Sequence, residues 1–297
     1  MPTIGLIGVG LMGHGIGRNL LEKDFGLVAL VHRRRAGVED LLAKGAREAD
    51  SPRALAQAAD IVLVCVTGSP QFQAVADGDD GFIAGLSAGQ TVIDCTTGEP
   101  DVTDEYAARL AELDVGFADA PLARTPVEAE AGRLNAMVGA SDTDFATVQP
   151  VLAAFCENIF HVGDAGSGAR MKLINNLITM GQAALIAEAL VACKATGIAP
   201  RTFFEIMSKG GGNSGILQML MPAYLDQGSF EGMQFSLENA AKDLRYFNRM
   251  TGNAGVSAPL GAVVHNQLVN ARLLGFEDGL VGHLMAAALY LNRLSED

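Results

Sequence analysis

Residues 3–13 read Thr3-Ile4-Gly5-Leu6-Ile7-Gly8-Val9-Gly10-Leu11-Met12-Gly13, and this stretch decides the fold. A short β-branched run passes straight into glycines spaced G-x-G-x-x-G, and the chain then opens a helix. In that context each glycine has a physical task. The first permits the tight turn, the second lets a pyrophosphate approach the backbone, and the third lets helix and strand pack closely. The helix start adds free N–H groups and a partial positive charge. Gly8, Gly10, Leu11, Met12 and Gly13 are therefore the residues expected to hold a dinucleotide.

Outward from this turn, strand-like runs alternate with helix-like ones. Strands are expected at 3–7, 27–32, 61–66, 91–94, 116–120 and 134–138, with helices at 38–44, 52–58 and 102–113 between them. Such alternation predicts a Rossmann-type, doubly wound parallel sheet covered by helices on both faces. After about residue 163 the pattern turns helical, with 169–196, 200–207, 235–251 and 280–294 as expected helices. Two domains follow: a dinucleotide-binding α/β domain over 1–163 and an all-α domain over 164–297. With 297 residues, 49% hydrophobic and only 19% charged, the chain has ample apolar surface for two cores and is not disordered.

Charge excludes other partners. Lys and Arg number 21 against 34 Asp and Glu, a net −13 that repels nucleic-acid backbones and anionic lipid. The apolar run 177–193 carries Gln182 and Glu188, so it reads as a core helix rather than a membrane span. Cys65, Cys95, Cys156 and Cys193 are widely spaced, with neither metal-ligand spacing nor a redox pair. They predict reduced thiols in a cytoplasmic protein, and no metal site is expected.

The end of the second strand selects the dinucleotide. A carboxylate there would bond a ribose 2′-hydroxyl, but this chain reads Val31-His32-Arg33-Arg34-Arg35. Guanidinium groups clasp a 2′-phosphate bidentately, so NADP(H) is the expected cofactor, NAD(H) a possible one, with Arg33 and Arg34 as contacts.

Near the start of the long helix stands Gly168-Ala169-Arg170-Met171-Lys172-Leu173-Ile174-Asn175-Asn176. Lys172 lies three and four residues before Asn175 and Asn176, so all three share one helix face. Gly168, one turn earlier, would admit a ligand there. An ammonium and two amides ahead of an apolar helix call for a polar partner. A lysine beside a hydride acceptor can take a hydroxyl proton or return it.

These motifs together resemble the β-hydroxyacid dehydrogenase family, which includes 3-hydroxyisobutyrate dehydrogenase. The resemblance spans nearly the whole chain. It is carried by residues 8–13, Asp94-Cys95-Thr96-Thr97, Asp119-Ala120-Pro121, Gly168 with Lys172 and Asn176, Lys242-Asp243-Leu244 and Pro259-Leu260. It implies that Lys172 is the catalytic acid/base and that Asn176 orients substrate. It also implies that Thr96 and Lys242 line the nicotinamide pocket in a seam between the domains. The C-terminal domain would be 6-phosphogluconate dehydrogenase-like and would form homodimers or homotetramers.

After Asp119-Ala120-Pro121, relatives carry a serine and two glycines, where this chain has Leu122-Ala123-Arg124-Thr125-Pro126. The substitution replaces a flexible anion nest with a fixed cation, and the Arg-Thr pair resembles the sulfolactaldehyde reductase branch. Ala123, Arg124, Thr125 and Asn175 are thus expected at the acidic end of a small anionic substrate; Arg124 could instead pair with Glu128 or Glu130. The expected activity is NADP(H)-dependent oxidation of a small β-hydroxy acid, or reduction of its semialdehyde. Two alternatives are an imine reductase of the same layout, against which Lys172 counts, and a non-catalytic dinucleotide-binding reader.

Overall fold

The computed structural model describes residues 1–30 and 35–295. These fall into two compact units, Met1–Lys172 and Leu173–Asp297.

Unit 1 holds strands β1 (Thr3–Ile7), β2 (Gly26–Leu30), β3 (Arg47–Ala49), β4 (Ile61–Val64), β5 (Thr91–Asp94), β6 (Gly116–Asp119), β7 (Leu122–Ala123), β8 (Leu134–Ala140) and β9 (Cys156–Gly163). Its helices are α1 (Leu11–Glu22), α2 (Ala36–Ala43), α3 (Pro52–Gln57), α4 (Ser69–Ala76), α5 (Pro100–Ala111), α6 (Pro126–Glu130) and α7 (Asp142–Leu152). The sheet order is β3-β2-β1-β4-β5-β6-β8-β7, with β9 paired to β8. From β3 to β6 every pairing is parallel, and at the centre β4 is a continuous apolar run, Ile61–Val64, buried on both faces. The order reverses between β1 and β4, which is where open α/β sheets bind ligands, outside the carboxyl ends of the strands.

The parallel pairing is interrupted after β6 and resumes between β8 and β9. β8 runs antiparallel to β6, with Ala118 opposite Ala140, and β7 pairs antiparallel to β8. A parallel return needs a crossover that covers the sheet. Here the connecting chain is spent on β7 and on α6, which packs against α1 instead. β9 escaped the sequence reading because its run, Cys-Glu-Asn-Ile-Phe-His-Val-Gly, is mostly exposed and has no apolar alternation.

Helix α8 (Ser167–Thr196) spans the division between the units. Its first turn, counted with unit 1, is bonded to the sheet, as described below. Unit 2 continues with α9 (Pro200–Lys209), α10 (Gly215–Gln227), α11 (Leu237–Asn253), α12 (Pro259–Ala271) and α13 (His283–Leu291). Its core joins Met180, Ala183, Ala187 and Leu190 of α8 to Leu217 and Leu220 of α10, Leu237 and Leu244 of α11, Leu268 of α12 and Met285 of α13. By length and composition α8 passes as a membrane span. Its burial of those four side chains is instead that of a core helix.

Candidate active site

In unit 1 the three glycines behave as their spacing predicts. Gly8 has φ +103°, and a Cβ there would lie 2.2 Å from the Cys65 carbonyl oxygen. A Cβ at Gly13 would lie 1.9 Å from the Gly8 carbonyl oxygen, so turn and helix touch through backbone alone. At Gly10 nothing lies within 4 Å of such an atom. That open space above the N-terminus of α1 is what a pyrophosphate needs, and Gly10 caps the helix without any side chain that would compete. Leu11 and Met12 form the first turn, with Leu11 exposed. The residues present therefore fit a dinucleotide.

The turn is braced from α6. The Asn19 amide donates to Gly15 O at 2.7 Å and to Ala129 O at 3.0 Å. His14 bonds Glu130 at 2.6 Å and Asp40 at 3.0 Å, tying α1 to α6 and α2. Burial pulls the His14 pKa down, but its bonds to the two carboxylates outweigh that and raise it.

Arg33 and Arg34 lie outside the described residues. Arg35 lies within them, and its guanidinium is taken up by Glu48, at 3.1 and 3.2 Å, and by Glu39 at 3.4 Å.

Thr96 sits past the carboxyl end of β5 and is buried. Its hydroxyl accepts Val66 N–H at 3.3 Å, and its own N–H donates to Asp94 Oδ1 at 2.9 Å. Asp94 is enclosed, and burial pushes its carboxyl up to about 7. Beyond β6, Ala123 pairs with Asn135 on β8. Arg124 follows at φ +81°, a left-handed conformation that favours glycine. Its guanidinium donates to Arg133 O at 2.5 Å and pairs with Glu157 of β9, not with Glu128 or Glu130. Glu128 is engaged by Thr125, whose N–H and hydroxyl reach it at 3.1 and 2.5 Å across the start of α6.

The polar residues of α8 and α11 form a second group. Within unit 2, the Asn176 amide donates to Asp243 Oδ2 at 2.7 Å, and the Asn175 amide donates to Asn176 Oδ1 at 3.1 Å. Lys242 places Nζ 3.1 Å from Asp243 Oδ1 and over the Tyr246 ring, 5.4 Å from its centroid. Asp243 is only 2% exposed, so one buried carboxylate fixes the Asn176 amide and neutralises the Lys242 ammonium. The adjacency of Lys242 and Asp243 in sequence did not assure that ion pair; the packing of α11 against α8 makes the shared partner. Lys172 is 9% exposed, one turn before Asn176 on the same helix face.

Gly168 does not open that face to a ligand. A Cβ there would meet Met137 O at 2.3 Å and Asp119 O at 2.6 Å, so its hydrogen is what allows α8 to sit on β6 and β8. Asp94 and Asp119 were legible only as motif positions; both end parallel strands, where a buried acid is worth noticing. All four cysteines are free, and burial pushes the Cys65 thiol up to about 12. Among the described residues no three His, Cys, Asp or Glu side chains converge as metal ligands.

Comparison with known proteins gives this arrangement its place. Residues 3–163 match the model of the NAD-binding domain of 6-phosphogluconate dehydrogenase. Residues 166–279 match the model described as NAD-binding of NADP-dependent 3-hydroxyisobutyrate dehydrogenase. The chain belongs to the β-hydroxyacid dehydrogenase family. It is an NAD(P)-dependent hydroxyacid dehydrogenase of the 3-hydroxyisobutyrate dehydrogenase type. Among relatives of this family it is 32% identical to 2-(hydroxymethyl)glutarate dehydrogenase of Eubacterium barkeri, over 92% of this chain and 90% of that one. It is 30% identical to 3-sulfolactaldehyde reductase of Escherichia coli, over 93% and 92%. In fold it resembles 3-hydroxyisobutyrate dehydrogenase from Salmonella typhimurium, with TM-score 0.83 at 25% identity over 96% of this chain and 99% of that one. An imine reductase from Pseudomonas sp. shares the fold at 17% identity and TM-score 0.60, over 96% and 99%.

Proposed function

We propose that this dehydrogenase uses NADP(H) to interconvert a small anionic β-hydroxy acid and its semialdehyde, with Lys172 as general acid/base. The observation that carries this reading is Lys172 itself, a nearly buried amine one helical turn from an amide that Asp243 holds in place. When bound, the nicotinamide ring accepts the hydride of the carbinol carbon or returns it. Lys172 Nζ takes the hydroxyl proton in oxidation and delivers it in reduction. Asn176, with one amide N–H given to Asp243, turns the other to the substrate oxygen. By the family pattern, Lys242, paired with Asp243, and Thr96, past the end of β5, would each contact the nicotinamide.

The acidic end of the substrate goes to Arg124 and Thr125, beside Ala123, with Asn175 assisting. The anion replaces Glu157 on the Arg124 guanidinium, which favours strong, fully ionised groups. The relatives' named substrates, a dicarboxylate and a sulfonate, carry such groups. We place the enzyme in the cytoplasm, where its four free thiols stay reduced. No nucleic acid or membrane partner is proposed for a chain of net charge −13.

The test is a substrate panel run with both cofactors: sulfolactaldehyde, 2-(hydroxymethyl)glutarate, 3-hydroxyisobutyrate, tartronate semialdehyde and serine. Lys172→Ala should lower kcat on the best of them about 10³-fold or more while dinucleotide affinity stays near wild type. Retained turnover would remove Lys172 from the chemistry. Turnover of a cyclic imine with none of the hydroxy acids would replace the reading with imine reduction.

A further inference from the structure

Asp119 has no task in either the dinucleotide turn or the substrate loop, yet both of its carboxylate oxygens are bonded to backbone. It ends β6 and is 2% exposed. Its two carboxylate oxygens divide between two backbone donors at the start of α8. Oδ1 accepts Gly166 N–H and Oδ2 accepts Ala169 N–H, both at 2.6 Å. The seat is close-fitting on both sides. A Cβ at Gly139 would lie 2.5 Å from Asp119 Oδ1 and 2.7 Å from Gly168 N, and the one at Gly168 would strike β6 and β8 as described. Arg170, one residue on, is clasped by Asp104 of α5, with Nη1 to Oδ1 at 3.1 Å.

A helix start leaves N–H groups without intrahelical partners, and a neutral serine or threonine suffices to satisfy them. A buried carboxylate costs far more desolvation than a hydroxyl. What it adds is two short charge-assisted bonds to residues three apart, which fix both the rotation and the axial position of the first turn. Lys172 lies three residues beyond Ala169, about 4.5 Å along the same helix.

We propose that Asp119 is the positioning residue of the proton-transfer step, setting Lys172 through its grip on Gly166 and Ala169. This rests on the reading of Lys172 as the acid/base. Near pH 8 the grip is fully charged: burial raises the Asp119 carboxyl to about 6, and the Gly166 and Ala169 N–H groups hold it from going higher. The charged groups facing it are Asp94 of β5, which itself feels the Asp119 charge, and Arg170 of α8, with Asp104 behind it.

Asp119→Asn should lower kcat about 10–100-fold, since a misplacement of about 1 Å is worth that much. KM and NADPH affinity, read by fluorescence titration, should stay within about threefold of wild type. A kcat within twofold of wild type, or an equal loss of kcat and NADPH affinity, would overturn the proposal. The wild-type enzyme gives a second test should the variant not fold. In the reductive direction a lysine acid alone gains activity as pH falls, so kcat should instead drop as Asp119 protonates near pH 6. A reductive kcat that keeps rising to pH 5 would sink the idea. Lys172→Ala separates the two claims. If that variant is dead and Asp119→Asn is unimpaired, only the positioning role fails; if Lys172→Ala turns over, the underlying reading fails.

Discussion

Arg124 shows how one side chain can be read from its backbone. A left-handed conformation at a non-glycine residue costs on the order of 1–3 kcal/mol, and such costs gather where function requires them. Arg124→Gly should therefore raise the melting temperature slightly while raising KM for the anionic substrate about 10–100-fold, the loss of a charged hydrogen bond worth about 1.5–3 kcal/mol. Thermal unfolding and steady-state kinetics on the same preparation check both halves, and an unchanged KM would demote Arg124 to a partner of Glu157. Arg33 and Arg34 make a separate case. Replacing both with alanine should weaken NADPH by about tenfold or more and leave NADH nearly untouched, since only the former has a 2′-phosphate to lose. Titration with each cofactor decides it, and equal weakening would defeat the argument from the missing carboxylate.

At the scale of elements, strand ends and helix starts carry the charge chemistry of unit 1. Asp94 at the end of β5 and Asp119 at the end of β6 titrate near 7 and 6, well above the ordinary 3.8, because burial disfavours their charged forms. His14 on α1 moves the same way, with burial lowering its pKa but bonds to Glu130 and Asp40 raising it above 6.5. All three bind protons more tightly folded than unfolded, so the native state holds the excess of protons from about pH 4 upward. Stability must then fall as pH rises through about 7 and on through the titration of His14. Urea unfolding followed by circular dichroism should show a lower midpoint at pH 8 than at pH 5. Asp94→Asn should flatten that slope, and a midpoint that climbs with pH would contradict the assignment. The same scale shows what escaped pattern reading. β3 has three residues, β7 has two, and β9 is mostly exposed without apolar alternation, so none has an apolar period to detect.

For the whole molecule, the apolar surface of α8 bears on assembly. Ile174, Ile178 and Leu185 are 43%, 56% and 69% exposed and fall within about 40° of one another around the helix. Contiguous exposed apolar surface of this kind marks association sites. We expect a homodimer or homotetramer by light scattering, with Ile178→Glu and Leu185→Glu together shifting it toward monomer. A wild-type monomer at micromolar concentration would refute this.

Much of this protein is fixed locally and so could be read along the chain. The positive φ of Gly8, the open backbone at Gly10 and the Gly13–Gly8 contact belong to a single turn, and the central parallel strands are short apolar runs whose burial shows in composition. The lysine and two asparagines of α8 share a face by helical period alone. Other features needed distant residues to meet. The antiparallel turn of β8 depended on α6 spending its chain against α1. The anchoring of Asn176 on Asp243 and the diversion of Arg124 to Glu157 join residues 67 and 33 positions apart, and the seating of Gly168 on β6 and β8 stacks backbone on backbone. No local propensity encodes a desolvated charge shared across elements; only the packed fold sets its partner and its pKa.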